Sequence, residues 1–161
     1  MKKVFIVLTV ILAIFLIACG EEGAEWTVSD YKPTDRVSAL SETDALSNTI
    51  VYTPDVNPID DYFDYYLGDT ALLEGISDYV YFTSAETSVA EAGVFKVKDK
   101  ATADALLEAF GARAENLAIT YENYSPEDTA RARGVKTGSF DDIVWFVASA
   151  DNDSVISAIS K

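Results

Sequence analysis

The chain has 161 residues, of which 27 are Asp or Glu, 12 are Lys or Arg and none is His, and its net charge at pH 7 is −15. This excess of acids argues against a nucleic-acid partner, because phosphate backbones require a basic surface. The absence of His and the presence of only one Cys also exclude Ser-His-Asp triads, Cys-His pairs and imidazole metal sites, so an enzyme would depend on carboxylates, Lys, Tyr or Ser.

The first 18 residues have the pattern of a secretory signal peptide. Lys2 and Lys3 precede an apolar run, Val4 to Ala18, that only Thr9 interrupts. A membrane-spanning helix needs about 20 apolar residues, and here two Glu follow the run without a basic stop-transfer cluster. We therefore expect residues 1–18 to be cleaved rather than retained as a span.

The sequence "LIAC" at residues 16–19 resembles the lipobox of bacterial lipoproteins. The resemblance implies that the thiol of Cys19 accepts a diacylglycerol and that the chain is then cut between Ala18 and Cys19. A second acyl chain, such as palmitate, makes the anchoring stable rather than marginal. We expect a protein held by lipid on the extracytoplasmic face of the bacterial cell membrane, with residues 19–36 as a flexible acidic tether and residues 37–161 as a single domain.

The first half of the chain after the predicted signal peptide is acidic and only weakly patterned. Residues 20–91 contain 16 acids and two bases. A short helix is expected near Val37, Leu40 and Leu46, and residues 60–67 are predicted to form a helical turn that Gly68 ends.

The second half shows clearer periodicity. Residues 78–84 and 92–98 have the composition of strands, and Phe95 and Val97 alternate with Lys96 and Lys98. Apolar residues then recur at helical spacing from an N-cap at Asp99 to Tyr124.

The sequence "SPED" at residues 125–128 predicts a second helix, which Gly134 ends. Strands are expected at 135–139 and 142–149 on either side of a turn, and a last short helix carries Val155 to Ile159. Asp151 and Asp153 precede or begin that helix, and capping explains them better than a ligand site does.

These elements predict an α+β fold, a two-layer sandwich of about four antiparallel strands with helices packed on one face. Lys96, Lys98 and Lys136 are expected to lie on the other face, in contact with solvent.

Three segments carry a family resemblance: "AEAGVFKVKD" (90–99), "YENYSPED" (121–128) and "VKTGSFDDIVWFVAS" (135–149). Through them the chain resembles the DUF4358 domain, which occurs in uncharacterised lipoproteins of Firmicutes, and the resemblance runs from about residue 40 to the end. It implies a lipid-anchored, exported protein of unknown function and supplies no catalytic residues.

The first candidate site is a cluster of acids and aromatic residues: Asp60, Asp61, Tyr62, Asp64, Tyr65 and Asp69. Its oxygen atoms could bind calcium, although the spacing does not fit an EF-hand. Alternatively, the rings could stack on a sugar while two acids act as general acid and nucleophile. The remaining interpretation is an acidic loop whose aromatic residues pack inward.

The second candidate site is the basic group Arg131, Arg133 and Lys136. It could bind a carboxylate or phosphate, or it could simply complement the C-terminus of a helix.

Taken together, the sequence predicts a lipid-anchored extracytoplasmic binding or accessory domain without catalytic residues, resident metal or cofactor other than the lipid on Cys19. Its expected partners are the membrane, through the anchor, and an envelope protein, peptide, cation or cell-wall component. The alternative is a carboxylate-based hydrolase that acts on cell-envelope glycans through the acids of residues 60–69.

Overall fold

The computed structural model describes residues 26–161. The predicted signal peptide of residues 1–18, the cleavage site between Ala18 and Cys19, the lipidation of Cys19 and the first part of the tether lie outside the described residues. Within residues 26–161, no helix is both long enough and apolar enough to cross a membrane.

Five antiparallel strands form one open sheet in the order β1-β2-β3-β5-β4. The strands are β1 (Thr49–Tyr52), β2 (Ile76–Ser84), β3 (Glu91–Val97), β4 (Lys136–Phe140) and β5 (Ile143–Ala148). The α+β class and the antiparallel sheet are confirmed. The strand that the sequence did not predict is β1, whose four residues are too few to show a period of two and which becomes a strand by pairing with β2 along one edge.

Five α-helices accompany the sheet: α1 (Val37–Ser41), α2 (Asp60–Leu67), α3 (Lys100–Thr120), α4 (Pro126–Arg133) and α5 (Asn152–Ile159). Three of them begin at the predicted caps. Asp99 accepts a hydrogen bond from the Thr102 N–H at 2.8 Å, and Ser125 and Asp151 cap α4 and α5 in the same way. Short 3-10 helices lie at Pro33–Arg36, Asp44–Leu46 and Thr70–Gly75.

Helices cover both faces of the sheet, which corrects the prediction that they pack on one face. The first face carries a cluster that α2 and α3 cover: Tyr79, Tyr81, Phe95, Phe146, Phe63, Leu106 and Phe110. The second face carries a cluster that α1 and α5 cover: Val80, Phe82, Val94, Val147, Leu40, Val155 and Ile159. The reason is that β2, β3 and β5 are apolar at successive positions, so neither face can be left to water.

Lys98 and Lys136 are exposed, whereas Lys96 is largely withdrawn from solvent, with its side chain 17% exposed, which corrects the prediction for this residue. The ammonium of Lys96 donates to the backbone oxygens of Ser29 and Tyr31 and lies 3.5 Å from the carboxylate of Asp142. Asp142 is fully buried and also accepts a hydrogen bond from the Ser29 hydroxyl. A buried ion pair therefore holds the chain N-terminal to the sheet.

Residues 26–36 form a strap on the folded body, which corrects the tether prediction for this segment. The Tyr31 hydroxyl donates to the Ile159 oxygen at 2.8 Å, and the Thr34 N–H and hydroxyl donate to the carboxylate of Asp78. Pro33 is buried. The strap is ordered because it supplies hydrogen-bond partners to Lys96 and Asp142, which would otherwise be buried without them.

We predict that Asp142→Ala lowers the free energy of unfolding by about 3–5 kcal/mol, because it leaves the Lys96 charge without its carboxylate under the strap. Urea unfolding followed by circular dichroism measures this change. The matched control is Asp153→Ala, which removes the carboxylate of an exposed pair with Lys136 and should change stability by less than about 0.5 kcal/mol. Equal effects of the two substitutions would contradict the assignment of a buried, strap-holding pair.

Candidate functional site

Helix α2 presents one side to the sheet and the other to solvent. Ile59, Phe63 and Leu67 recur every four residues and are buried. Gly68 ends the helix with φ at 80°, and its N–H donates to the backbone carbonyl oxygen of Asp64 at 2.9 Å. The predicted helical turn and its end at Gly68 are confirmed. Because the residues buried every four positions face the sheet, the opposite side of the helix faces outward.

The outward side of α2 carries acids and aromatic rings. Tyr65 is 75% exposed and Tyr62 is 49% exposed, and Asp60 and Asp64, four residues apart on the same helix, are also exposed. We call Asp60, Tyr62, Asp64 and Tyr65 the α2 face. The side chain of Asp61 lies outside the described part of the chain.

Buried tyrosines support the exposed rings from below. The ring of Tyr62 lies 5.8 Å from that of Tyr52, and the ring of Tyr65 meets that of Tyr66 edge-on at 5.0 Å. Tyr66 in turn contacts the fully buried Tyr81, with ring centres 5.3 Å apart. Because such ring pairs are stabilising, the exposed rings rest on a packed aromatic base.

A buried ion pair lies at the end of this aromatic base. Arg113 of α3 binds Glu91 of β3 in a bidentate fashion, with Nε to Oε1 at 2.9 Å and Nη2 to Oε2 at 2.7 Å. Their side chains are only 14% and 4% exposed. The Tyr81 hydroxyl donates to Glu91, and the guanidinium of Arg113 lies 5.2 Å from the centre of the Tyr66 ring. This cluster therefore joins α2, α3, β2 and β3.

The electrostatics of this cluster fix its protonation. Burial raises the pKa of Tyr81 well above its usual value, and the charge of Glu91 raises it further. Burial opposes the charge of Arg113, but the hydrogen bonds and charge of Glu91 raise the pKa of Arg113 overall. Burial likewise raises the pKa of Tyr52 and Tyr79. These phenols stay protonated near neutral pH, so they do not act as nucleophiles.

The remaining acids of the predicted cluster are used in other ways. Asp69 accepts a hydrogen bond from the Ala71 N–H at 2.9 Å and caps the 3-10 helix that follows. Asp60 lines a shallow cavity of about 190 Å³ together with Pro58 and Tyr79. Among the described residues, no group of three or more acidic or Cys side chains is arranged to hold a metal ion.

The three basic residues of the second candidate site each lie against a different acid. The pairs are Arg131 with Asp128 at 3.5 Å, Arg133 with Glu122 at 3.7 Å, and Lys136 with Asp153 at 2.6 Å. The structure therefore places two of them in the last turn of α4 and one at the start of β4, each already in contact with a carboxylate.

The sequence analysis did not single out Glu91 and Arg113. The available signal was a charge within an apolar pattern: Arg113 falls between Phe110 and Leu117 on the buried stripe of α3, and Glu91 begins a strand whose next four residues, Ala92 to Phe95, carry no charge. A charge in such a position needs a buried partner, but only the packing of α3 on β3 identifies which one.

We predict that Arg113→Met lowers the free energy of unfolding by about 3–5 kcal/mol, because it leaves Glu91 buried without its counter-ion. The double variant Glu91→Gln, Arg113→Met should lose less unfolding free energy than the sum of the losses in the single variants Glu91→Gln and Arg113→Met. Urea unfolding of all three variants measures this coupling energy. Strict additivity would contradict a direct pair.

The stability of the protein should also fall at alkaline pH. The folded protein holds the Tyr81 proton more tightly than the unfolded chain, whose phenols titrate near 10.0. The stability that comes from holding the Tyr81 proton is therefore fully present below that pH and is lost as the pH rises above it. Tyr81→Phe removes the titration, so the difference in unfolding free energy between parent and variant should narrow between about pH 8 and about pH 11. A difference between parent and Tyr81→Phe that stays constant over this range would contradict the role of the buried Tyr81 proton.

The model of the family described as "Domain of unknown function (DUF4358)" matches residues 72–149 of this chain. The matched range runs from the 3-10 helix before β2 to just beyond β5 and contains Tyr81, Glu91 and Arg113, whereas α2 precedes it. No curated protein and no solved structure matches the chain. Over residues 72–149 the match confirms the resemblance to the DUF4358 domain that the three sequence segments indicated, and this range is shorter than the one predicted from about residue 40 to the end.

Proposed function

We propose that this chain is a lipid-anchored binding module on the extracytoplasmic face of the bacterial cell membrane and that the α2 face is its recognition surface. The sequence "LIAC" with its single Cys supports the anchor. The observation that carries the binding role is the exposure of Tyr62 and Tyr65 on a buried aromatic base.

Rigid exposed tyrosines favour recognition of a ligand. Burying a loose side chain at an interface costs conformational entropy, whereas a ring that is already held by its neighbours loses little on binding. Tyrosine also offers a flat apolar surface and a hydroxyl, which is why it is common in recognition surfaces. The α2 face combines two such rings with two exposed carboxylates.

The same geometry favours binding over glycan hydrolysis. A glycosidase needs one carboxylate as general acid and a second as base or nucleophile, and a general acid commonly lies in an apolar pocket. Asp60 and Asp64 are both exposed on one side of α2, and Asp69 already caps a 3-10 helix.

The strap brings the proposed module close to the membrane. The described part of the chain starts at Trp26, and the seven residues from Gly20 to Trp26 can span at most about 25 Å. A lipid on Cys19 would therefore hold the α2 face within reach of ligands at the membrane surface and the inner side of the cell wall.

The anchor is tested with Cys19→Ala expressed in a bacterium. Because Cys19 is the only thiol in the chain, the variant has no other acceptor and should incorporate no radiolabelled palmitate and keep residues 1–18, whereas the parent should incorporate the label and lose residues 1–18. Mass spectrometry of the mature N-terminus should show a diacylglyceryl-cysteine in the parent alone. Incorporation of the label into the variant, or an unmodified Cys19 in the mature parent, would contradict the lipid anchor.

The recognition surface is tested by retention of the mature lipoprotein, in non-ionic detergent, on purified cell-wall sacculi and on immobilised envelope proteins. Tyr62→Ala with Tyr65→Ala should lower retention on the bound material about tenfold, since each exposed ring contributes about 0.5–1 kcal/mol or more. Tyr124→Ala, which removes an exposed ring at the far end of α3, should have no effect. Release of soluble sugar fragments from the sacculi by the parent, lost in Asp60→Asn, would support hydrolysis instead.

A further inference from the structure

We infer that the α2 face recognises a cationic segment of an envelope protein or peptide, in which neighbouring Lys or Arg side chains contact Tyr62 and Tyr65. The inference rests on the proposed function, since it names the class of ligand for the same surface.

The α2 face carries negative charge that the folded protein leaves uncompensated. Residues 37–95 contain eleven Asp and Glu and no Lys or Arg. None of the six ion pairs within residues 26–161 uses Asp60 or Asp64. Arg113, the cation beneath the aromatic base, is neutralised by Glu91. A partner that brings its own positive charge would complete this surface.

The exposed rings make Lys or Arg a better match than a simple metal ion. A guanidinium or ammonium is attracted to the face of a tyrosine ring as well as to a carboxylate. Calcium, in contrast, needs several oxygen ligands that converge on one point, whereas Asp60 and Asp64 alternate along α2 with Tyr62 and Tyr65. Two carboxylates and two tyrosine rings are distributed along one helix, so they can contact several cationic side chains of one segment.

The neighbouring edge of the sheet indicates that the partner binds through side chains and does not add a strand. The amide of Asn57 donates to the Val51 oxygen of β1 at 3.0 Å, so the loop after β1 already occupies that part of the strand. Ile50 is 43% exposed and shares a side of β1 with Tyr52, whose ring contacts that of Tyr62. It adds apolar surface for the aliphatic stem of a Lys or Arg.

The test is fluorescence anisotropy with the mature lipoprotein in non-ionic detergent and a fluorescein-labelled hexa-arginine peptide. Tyr62→Leu with Tyr65→Leu should weaken binding about tenfold, while Tyr62→Phe with Tyr65→Phe, which keeps the rings, should stay within about twofold. Asp60→Asn with Asp64→Asn should weaken binding about tenfold and reduce its dependence on salt between about 50 mM and about 300 mM. A hexa-glutamate peptide should not bind.

Two control variants separate recognition from general attraction to an acidic protein. Glu108→Gln with Glu115→Gln removes two exposed charges from α3, and Tyr124→Leu removes an exposed ring; both should leave the affinity within about twofold of the parent. Circular dichroism and thermal unfolding of each variant establish that it is folded.

Three outcomes overturn the inference. The α3 charge variant could weaken binding as much as the α2 charge variant, the leucine variant could bind as well as the parent, or calorimetry with calcium chloride could show binding at Asp60 and Asp64 while the peptide does not bind. If the peptide fails but retention on sacculi still depends on Tyr62 and Tyr65, the cationic ligand is wrong and the binding module stands. If neither depends on these tyrosines, both proposals fail.

Discussion

The pairing of Glu91 with Arg113 is the interaction on which the candidate site depends. The pair is buried between β3 and α3. Glu91 also accepts a hydrogen bond from the Tyr81 hydroxyl, and the guanidinium of Arg113 lies against the ring of Tyr66. A buried charge is costly unless it is paired and hydrogen-bonded, so each group restricts where the others can lie. Through Tyr66 this cluster adds to the burial of Phe63 and Leu67 in holding α2 on the sheet with its outer rings exposed.

A second buried ion pair has the corresponding role on the other side of the molecule. Lys96 and Asp142 lie under the strap of residues 26–36, where the backbone oxygens of Ser29 and Tyr31 accept hydrogen bonds from Lys96 and the Ser29 hydroxyl donates to Asp142. The sheet is apolar on both faces, with α2 and α3 on one and α1 and α5 on the other. A chain without disulfides thus relies on two packed layers of apolar side chains and on two charge pairs that fix its outer segments.

This arrangement separates the support of the proposed site from its surface. The support, formed by Tyr81, Glu91 and Arg113, lies in the segment that matches the DUF4358 family, while the exposed acids and rings lie before it. A common base could therefore carry different recognition residues on α2. The proposed lipid on Cys19 and the short distance from Cys19 to the strap would hold this surface at the membrane, where a cationic partner is the ligand that its charge favours.

Sequence patterning alone determined the elements whose signals are local. The caps at Asp99, Ser125 and Asp151, the end of α2 at Gly68 and the hairpin of β4 and β5 follow from residue types within a few positions of each other. Only the tertiary structure decided the rest: β1 as a fifth strand, helices on both faces, the strap, and the partners of Lys96 and Arg113. Those features depend on contacts between residues far apart in the chain, such as Glu91 with Arg113 and Ser29 with Asp142. Local sequence patterns do not reveal which distant charges come together, because that depends on how the helices and strands pack.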